Sequence, residues 1–289
     1  MTDKYSKEIR STVTSEGNVE LSITKIPVPT PTDDEVLVEV HAAPISPSDL
    51  ALLITFGGDL SNINISGSEE NTVASMKVHP AMMKSMKSRL DQAMPAGNEG
   101  AGIVIDAGSN VKHLTGKTVG LAGGAMYSQY ICVPAVNCLV MDDETTPAEA
   151  ASSFVNPMTA LSFVETMKME NHSGIVNTAA ASNLGQMLVK ICNDDGIPLV
   201  NIVRTQEQVD LLKNIGAKYV CNTSEENFKE TLVTALIETG ATLGFDATGG
   251  GNNGELPGQI LAAMEIASNS ASGEYSRYGS ETYKQVYIC

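Results

Sequence analysis

Basic residues are scarce in this chain: 18 Lys and Arg stand against 34 Asp and Glu over 289 residues, a net charge of −16. Such a field repels phosphate, which excludes general binding to nucleic acid or to anionic membranes and leaves a small-molecule site open. Long apolar runs are missing as well. None approaches the ~20 residues of a membrane span, and the opening MTDKYSKEIRS lacks the apolar core of a signal peptide, so the expected location is cytoplasmic. The five cysteines, Cys132, Cys138, Cys192, Cys221 and Cys289, are scattered and form no C-x-x-C pair, which speaks against a disulfide framework and against a cysteine zinc cluster. His41, His79, His113 and His172 show no ligand spacing and read as surface or turn residues rather than metal ligands. What remains, 42% hydrophobic and 18% charged, is the composition of a globular chain long enough for two domains.

Glycine is short where a dinucleotide loop would want it. The stretch GIVNTAAASNLGQMLVKICNDDGIPLVNIVR, Gly174 to Arg204, reads as a strand, a small-residue turn, a helix and a second strand ending in a basic residue. Ala180, Ser182 and Gly185 occupy the places of the three glycines of G-x-G-x-x-G, and Ala181, Asn183 and Leu184 fill the gaps. Small side chains still let backbone N–H groups approach a pyrophosphate. A helix starting near Asn183 directs its positive end at that phosphate, and Leu184, Met187, Leu188 and Ile191 give it one apolar face. Arg204 lies 19 positions beyond Gly185, near the ~20-residue point where NAD enzymes carry an acid for the ribose hydroxyl. Arginine there suits the 2′-phosphate of NADP(H). By itself the turn equally fits an ordinary strand-to-helix connection.

From Val19 to Val140 short strands broken by Gly, Pro and Asp predict a small β-barrel: 36–40, 101–105, 117–121 and 127–133. Gly58 to Asp91 reads as an irregular insertion, with Met76, Met82, Met83 and Met86 as local packing and Lys84, Lys87 and Arg89 on a short helix. Helices are predicted at 147–155, 158–168, 206–215, 226–238 and 256–267, and strands at 219–221, 243–247 and 285–288. That alternation implies a parallel, doubly wound sheet.

Four segments in this order carry a family resemblance: Gly97 to Gly108 (GNEGAGIVIDAG) leading to Gly116–Gly120, Tyr127 to Pro134 (YSQYICVP), Asn156 to Leu161 (NPMTAL), and the Ala180–Gly185 loop. With them the chain resembles the medium-chain dehydrogenase/reductase superfamily, in its zinc-independent NADPH:quinone oxidoreductase and enoyl reductase branch. The resemblance implies an α/β protein with a GroES-like β-barrel domain over 1–157 and a Rossmann-like doubly wound domain over 158–289, incomplete at its C-terminus. It further implies hydride transfer from NADP(H) to a quinone or an α,β-unsaturated carbonyl, and a homodimer in full-length relatives. Where zinc-dependent relatives carry Cys, His and Cys, this chain has Ser46, Asn98 and Asn156, so no catalytic zinc is expected.

By resemblance Asn156 and Thr159 lie near the nicotinamide and Ser46 on the substrate side; helix capping for Asn156 and a turn role for Ser46 fit equally. Asp246 to Gly251 (DATGGG) matches the family's next cofactor loop, bringing Thr248, Gly249 and Gly250 to the dinucleotide, with an ordinary glycine-rich loop as the alternative. Tyr127 and Tyr130 are expected to pack the barrel rather than act as acids. Relatives continue beyond the strand ending here, so a shortened chain is expected, and a catalytically silent nucleotide-binding or interaction protein stands as the second functional reading.

Overall fold

The computed structural model describes residues 5–55, 58–68, 71–250, 253–272 and 277–288; Gly251 of the glycine-rich loop and Cys289 lie outside them. The chain divides into two compact units, Met1–Val155 and Asn156–Cys289.

The first unit is built on two antiparallel five-stranded sheets. In one, β1 (Tyr5–Val13) and β2 (Asn18–Pro27) form a hairpin in unbroken register from Tyr5↔Pro27 to Val13↔Val19. The positions of β1 that point inward include Ser6, Glu8 and Ser11, all buried, while Ile9 is exposed. This inversion of the usual alternation works because the polar groups find partners. Ser11 Oγ donates to the Leu52 and Leu53 carbonyls at 3.0 Å, and Glu8 pairs with Arg10.

Part of the stretch expected to be irregular, Gly58 to Asp91, joins this same sheet: β4 (Asn64–Ser66) and β5 (Val73–Lys77) extend it beyond β2, and after that stretch β6 (Met94–Pro95) closes its other side against β1. Strands of so few residues carry no readable period. Before β6 the chain also forms α1 (Pro47–Ile54) and the single turn α2 (Pro80–Met83). Met76 is buried with Val13, Val19 and Val78, and Met82, Met83 and Met86 pack onto that cluster. Arg89 sits in a 3₁₀ turn, Lys87–Arg89, and its guanidinium donates to Ser11 Oγ and the Leu52 carbonyl, both at 2.7 Å.

The second sheet has the order β10-β8-β7-β3-β9, with β3 (Glu35–Ala42), β7 (Glu99–Ala107), β8 (Thr118–Ala122), β9 (Tyr130–Pro134) and β10 (Cys138–Val140). Val36, Val38, Val104, Val119 and Leu121 form its core. Gly102 is required here, because a Cβ on it would lie 2.0 Å from the Glu39 carbonyl oxygen. The helix expected over 147–155 stops after one turn, α3 (Pro147–Ala150), held by a Thr146/Glu149 capping box.

All but the first residue of α4 (Val155–Met169) belongs to the second unit, and the helix starts three residues earlier than the periodicity predicts. Pro157 lies in its first turn, where the missing N–H has no intrahelical partner to lose. Strands β11 (Ile175–Asn177), β12 (Leu199–Val203), β13 (Tyr219–Asn222), β14 (Leu243–Asp246) and β15 (Gln285–Ile288) make an all-parallel sheet of order β13-β12-β11-β14-β15. One face is covered by α4, α5 (Asn183–Asp195) and α6 (Gln206–Asn214) around Phe163, Leu188 and Leu212. The other is covered by α7 (Phe228–Thr239) and α8 (Glu255–Ser272) around Leu232, Leu236 and Ile260. Burial on both faces is what turns parallel strands into continuous apolar runs. No helix among the described residues is long and apolar enough to cross a membrane.

The four described cysteines are unpaired. Burial pushes the thiols of Cys192 and Cys221 up to about 12, and those of Cys132 and Cys138 up to about 11. His172 is buried rather than on the surface: its Nδ1 hydrogen-bonds Thr242 Oγ1 at 2.7 Å, and burial lowers its pKa.

Glu265 of α8 takes hydrogen bonds from Lys284 Nζ, the Ser280 amide and Asn269 Nδ2, and these hold its carboxyl at about 2, from an ordinary 4.5. A depressed carboxylate stabilises the folded state above its unfolded pKa and loses that contribution as pH falls through the folded one. Amide exchange at Ser280 is therefore expected to accelerate, relative to the rest of α8 and its surroundings, between pH 4.5 and about 2. Unchanged relative protection across that window would show that Glu265 does not tether this segment.

Candidate functional site

Strands of a parallel sheet end at one edge, and where the strand order reverses the following loops diverge and leave a crevice. Here the reversal falls between β11 and β14. An open cleft of about 760 Å³ lies there, lined by Thr178, Ala179, Ala181 and Ser182 after β11, by Val203 and Arg204 at the end of β12, and by Ala247 and Thr248 after β14.

The β11–α5 turn explains how the fingerprint manages with one glycine. A Cβ at Gly185 would lie 2.1 Å from the Ala180 carbonyl oxygen, a contact with backbone that nothing nearby can relieve. The glycine that helix–strand packing demands is the one retained. Ser182 is the N-cap of α5, its Oγ accepting the Gly185 N–H at 3.2 Å, and Ala179 holds a left-handed conformation at φ +48°. Ala180 is fully buried and its N–H donates to the Ile202 carbonyl, so it lies in the core beneath the loop rather than on the cleft wall. Asn183, Leu184 and Gly185 form the first turn of α5, with Leu184 packed on the core. Gly249 (φ +69°) is exposed and Gly250 (φ +86°) is buried, neither lining the cleft.

Arg204 is exposed at the cleft's edge, and its backbone is held at both ends. Its N–H donates to Gln208 Oε1 at 3.0 Å, and its carbonyl accepts from Ser224 Oγ at 2.6 Å. Gln208 and Thr223 also line the cleft. In the sequence Thr178, Gln208, Thr223 and Ser224 are ordinary polar residues; only strand order brings them together. The Asp246 carboxylate, at the end of β14, is wholly buried; burial raises its pKa, but hydrogen bonds from Thr178, Thr248 and Gly250 outweigh that and the net shift is downward.

In the first unit a second constellation surrounds the buried Asp49. Its two carboxylate oxygens accept the Ser46 and Asn98 N–H groups, each at 2.9 Å, and Asn98 Nδ2 donates to Ser48 Oγ at 2.9 Å. Ser46 is the N-cap residue of α1. Tyr127 Oη donates to the Pro44 carbonyl at 2.9 Å, and burial together with the Asp49 charge raises its pKa. Tyr130 Oη donates to Glu39 Oε1. The Glu99 carboxylate, also buried, accepts the Phe154 and Val155 N–H groups at 3.2 and 2.7 Å. Asn156 and Thr159 lie on α4, in the second unit. Among the described residues no three His, Cys, Asp or Glu side chains form a group able to hold a metal ion.

A doubly wound sheet with a small-residue turn, an N-capped helix and a cleft at the switch point defines the dinucleotide-binding class of fold. No family model matches the chain. It is 28% identical over 229 residues to the mitochondrial enoyl-[acyl-carrier-protein] reductase of Xenopus tropicalis, covering 75% of this chain and 56% of the relative. The chain thus spans about half the length of the curated relatives it matches. Among solved structures, a Mesorhizobium loti protein assigned as an NADPH:quinone reductase is 25% identical with a TM-score of 0.65, covering 91% of this chain and 72% of that one. The Escherichia coli quinone oxidoreductase, solved with NADPH, shares the fold at 20% identity and a TM-score of 0.62, covering 88% and 70%. In sequence and in fold the chain is thus similar to enoyl and quinone reductases of the medium-chain dehydrogenase/reductase superfamily.

Replacing Gly185 by Ala forces the new Cβ against the Ala180 carbonyl. Overpacking of this kind is expected to cost about 2 kcal/mol in chemical denaturation. A loss near zero would mean that α5 approaches β11 less closely than described.

Proposed function

We propose that the protein is an NADP(H)-dependent oxidoreductase that reduces quinones or α,β-unsaturated carbonyl compounds without zinc. Arg204 carries the reading. It is the single charged side chain among the described residues lining the cleft, in a chain whose net charge is −16. Where an NAD site presents a carboxylate to the ribose hydroxyls, this one presents a guanidinium, whose fork of donors matches a phosphate. The cleft volume, the alanines at 179 and 181 and the capped N-terminus of α5 suit a dinucleotide pyrophosphate approached by backbone amides.

NADPH, when bound, supplies the hydride. The chain's part is to bind, orient and polarise. Ala181, Ser182, Asn183 and Thr248 are assigned to the dinucleotide, with Ala180, Leu184, Gly185, Gly249 and Gly250 shaping the loops behind them. Asn156, Thr159 and Ser46 are assigned to the reacting end as hydrogen-bonding groups. A zinc ion does not fit the first-unit residues: a serine hydroxyl and a carboxamide are poor ligands, and both Asp49 oxygens already accept amides. Electron-poor acceptors suit such a metal-free site. Curated relatives named as enoyl reductases and structural neighbours named as quinone reductases support the two substrate classes. A cytoplasmic location and a homodimer belong to the same reading.

Titration with NADPH and NADH tests it. Arg204→Ala is expected to weaken NADPH binding by roughly tenfold to a hundredfold, the worth of charge-assisted hydrogen bonds to phosphate, while leaving NADH binding nearly unchanged. Equal affinity of the unmodified protein for both would sink the Arg204 assignment. Stoichiometric zinc in purified protein would overturn the metal-free claim, and a panel of quinones and enoyl thioesters separates the substrate classes. Binding without turnover across that panel favours the silent protein.

A further inference from the structure

We infer that Asp246 is a positioning residue whose buried carboxylate clasps the loop after β11 to the loop after β14, and so sets the shape of the cleft between them. The inference rests on reading that cleft as the NADP(H) site, and it concerns a residue that does not itself line the cleft.

Four donors converge on the carboxylate. Thr178 Oγ1 donates to Asp246 Oδ1 at 2.6 Å across 68 residues of sequence. Thr248 donates to the same oxygen twice, from Oγ1 at 2.6 Å and from its amide at 3.1 Å, and the Gly250 amide reaches Oδ2 at 2.7 Å. The Thr178 hydroxyl also accepts the Ala247 N–H at 2.9 Å, so it is tied into the β14 loop at two points. A carboxylate offers about four acceptor sites. Here three neutral donors share Oδ1 and one reaches Oδ2, at a residue with no exposed surface.

An aspartate that merely capped its own loop would need only Thr248 and Gly250. The Thr178 bond adds a link across the switch point, between two loops that each contribute a cleft wall. The carboxylate is irreplaceable by its amide on geometric grounds. With the side-chain oxygen of an asparagine at this position accepting from the two threonines, its NH₂ would face the Gly250 N–H, donor against donor; turned over, it would meet the Thr248 N–H in the same way.

The test uses Asp246→Asn, Thr178→Val and Thr178→Ser in the full chain, with NADPH as the probe and amide hydrogen exchange as a readout independent of it. Thr178→Val keeps the volume and loses the hydroxyl; Thr178→Ser keeps the hydroxyl. Asp246→Asn and Thr178→Val are each expected to raise the NADPH dissociation constant by about tenfold, the loss of one good hydrogen bond's worth of preorganisation. Both should also accelerate exchange at Gly250, which Thr178 does not touch, and Thr178→Ser should restore both values. If Thr178→Val leaves Gly250 exchange and NADPH affinity unchanged, the carboxylate caps its own loop only and the clasp is overturned. Should the unmodified protein bind no NADPH, the reading of the cleft fails, and the exchange at Gly250 still decides the clasp.

Discussion

How closely α5 approaches β11 governs the rest of the second unit. The approach leaves no room for a side chain at Gly185, and it brings the helix N-terminus to the carboxyl edge of the sheet, where unpaired amides are most useful. Once that contact is made, the short turn has little freedom. Ala179 takes up the left-handed corner, Ala180 drops into the core, and Ser182 caps the helix. The residues left facing the cleft are small because anything larger would occupy the space that the contact opens. The other two fingerprint glycines are dispensable, since this turn accommodates alanine at 180 and serine at 182.

The parallel unit is more legible from sequence than the antiparallel one, for a physical reason. Strands β11, β12 and β14 are buried on both faces and so appear as short apolar runs, and α5 and α7 end on Gly196 and Gly240 in the left-handed conformation that punctuates a helix. In β1 the inward positions include Ser6, Glu8 and Ser11 while Ile9 faces outward, so hydrophobicity points the wrong way. Ser11 is held in the interior by distant groups, Leu52, Leu53 and Arg89. Periodicity has no access to partners that lie more than 40 residues away.

The site divides along a similar line. Arg204 is legible because a fixed βαβ spacing delivers it. Thr178, Gln208 and Thr223 are not, because their meeting depends on strand order rather than on any motif. In the first unit, Ser46 and Asn98 are half-legible: their positions follow from resemblance, but the device that joins them, one buried carboxylate reaching both amides, is visible only in three dimensions. Asp49 and Asp246 play parallel parts in the two units. Each is a buried acid whose oxygens are occupied by neutral donors from two separate segments.

The unpaired cysteines have a bearing on chemistry that lies outside the cleft. Quinones and enones are Michael acceptors, and what they alkylate in proteins is the thiolate, not the thiol. With Cys132 and Cys138 at about 11 and Cys192 and Cys221 at about 12, the ionised form is vanishingly rare at neutral pH. Under the proposed reading, the four described thiols are thereby latent toward such electrophiles. Burial, which serves the core as packing, also protects these four side chains from the compounds proposed as substrates.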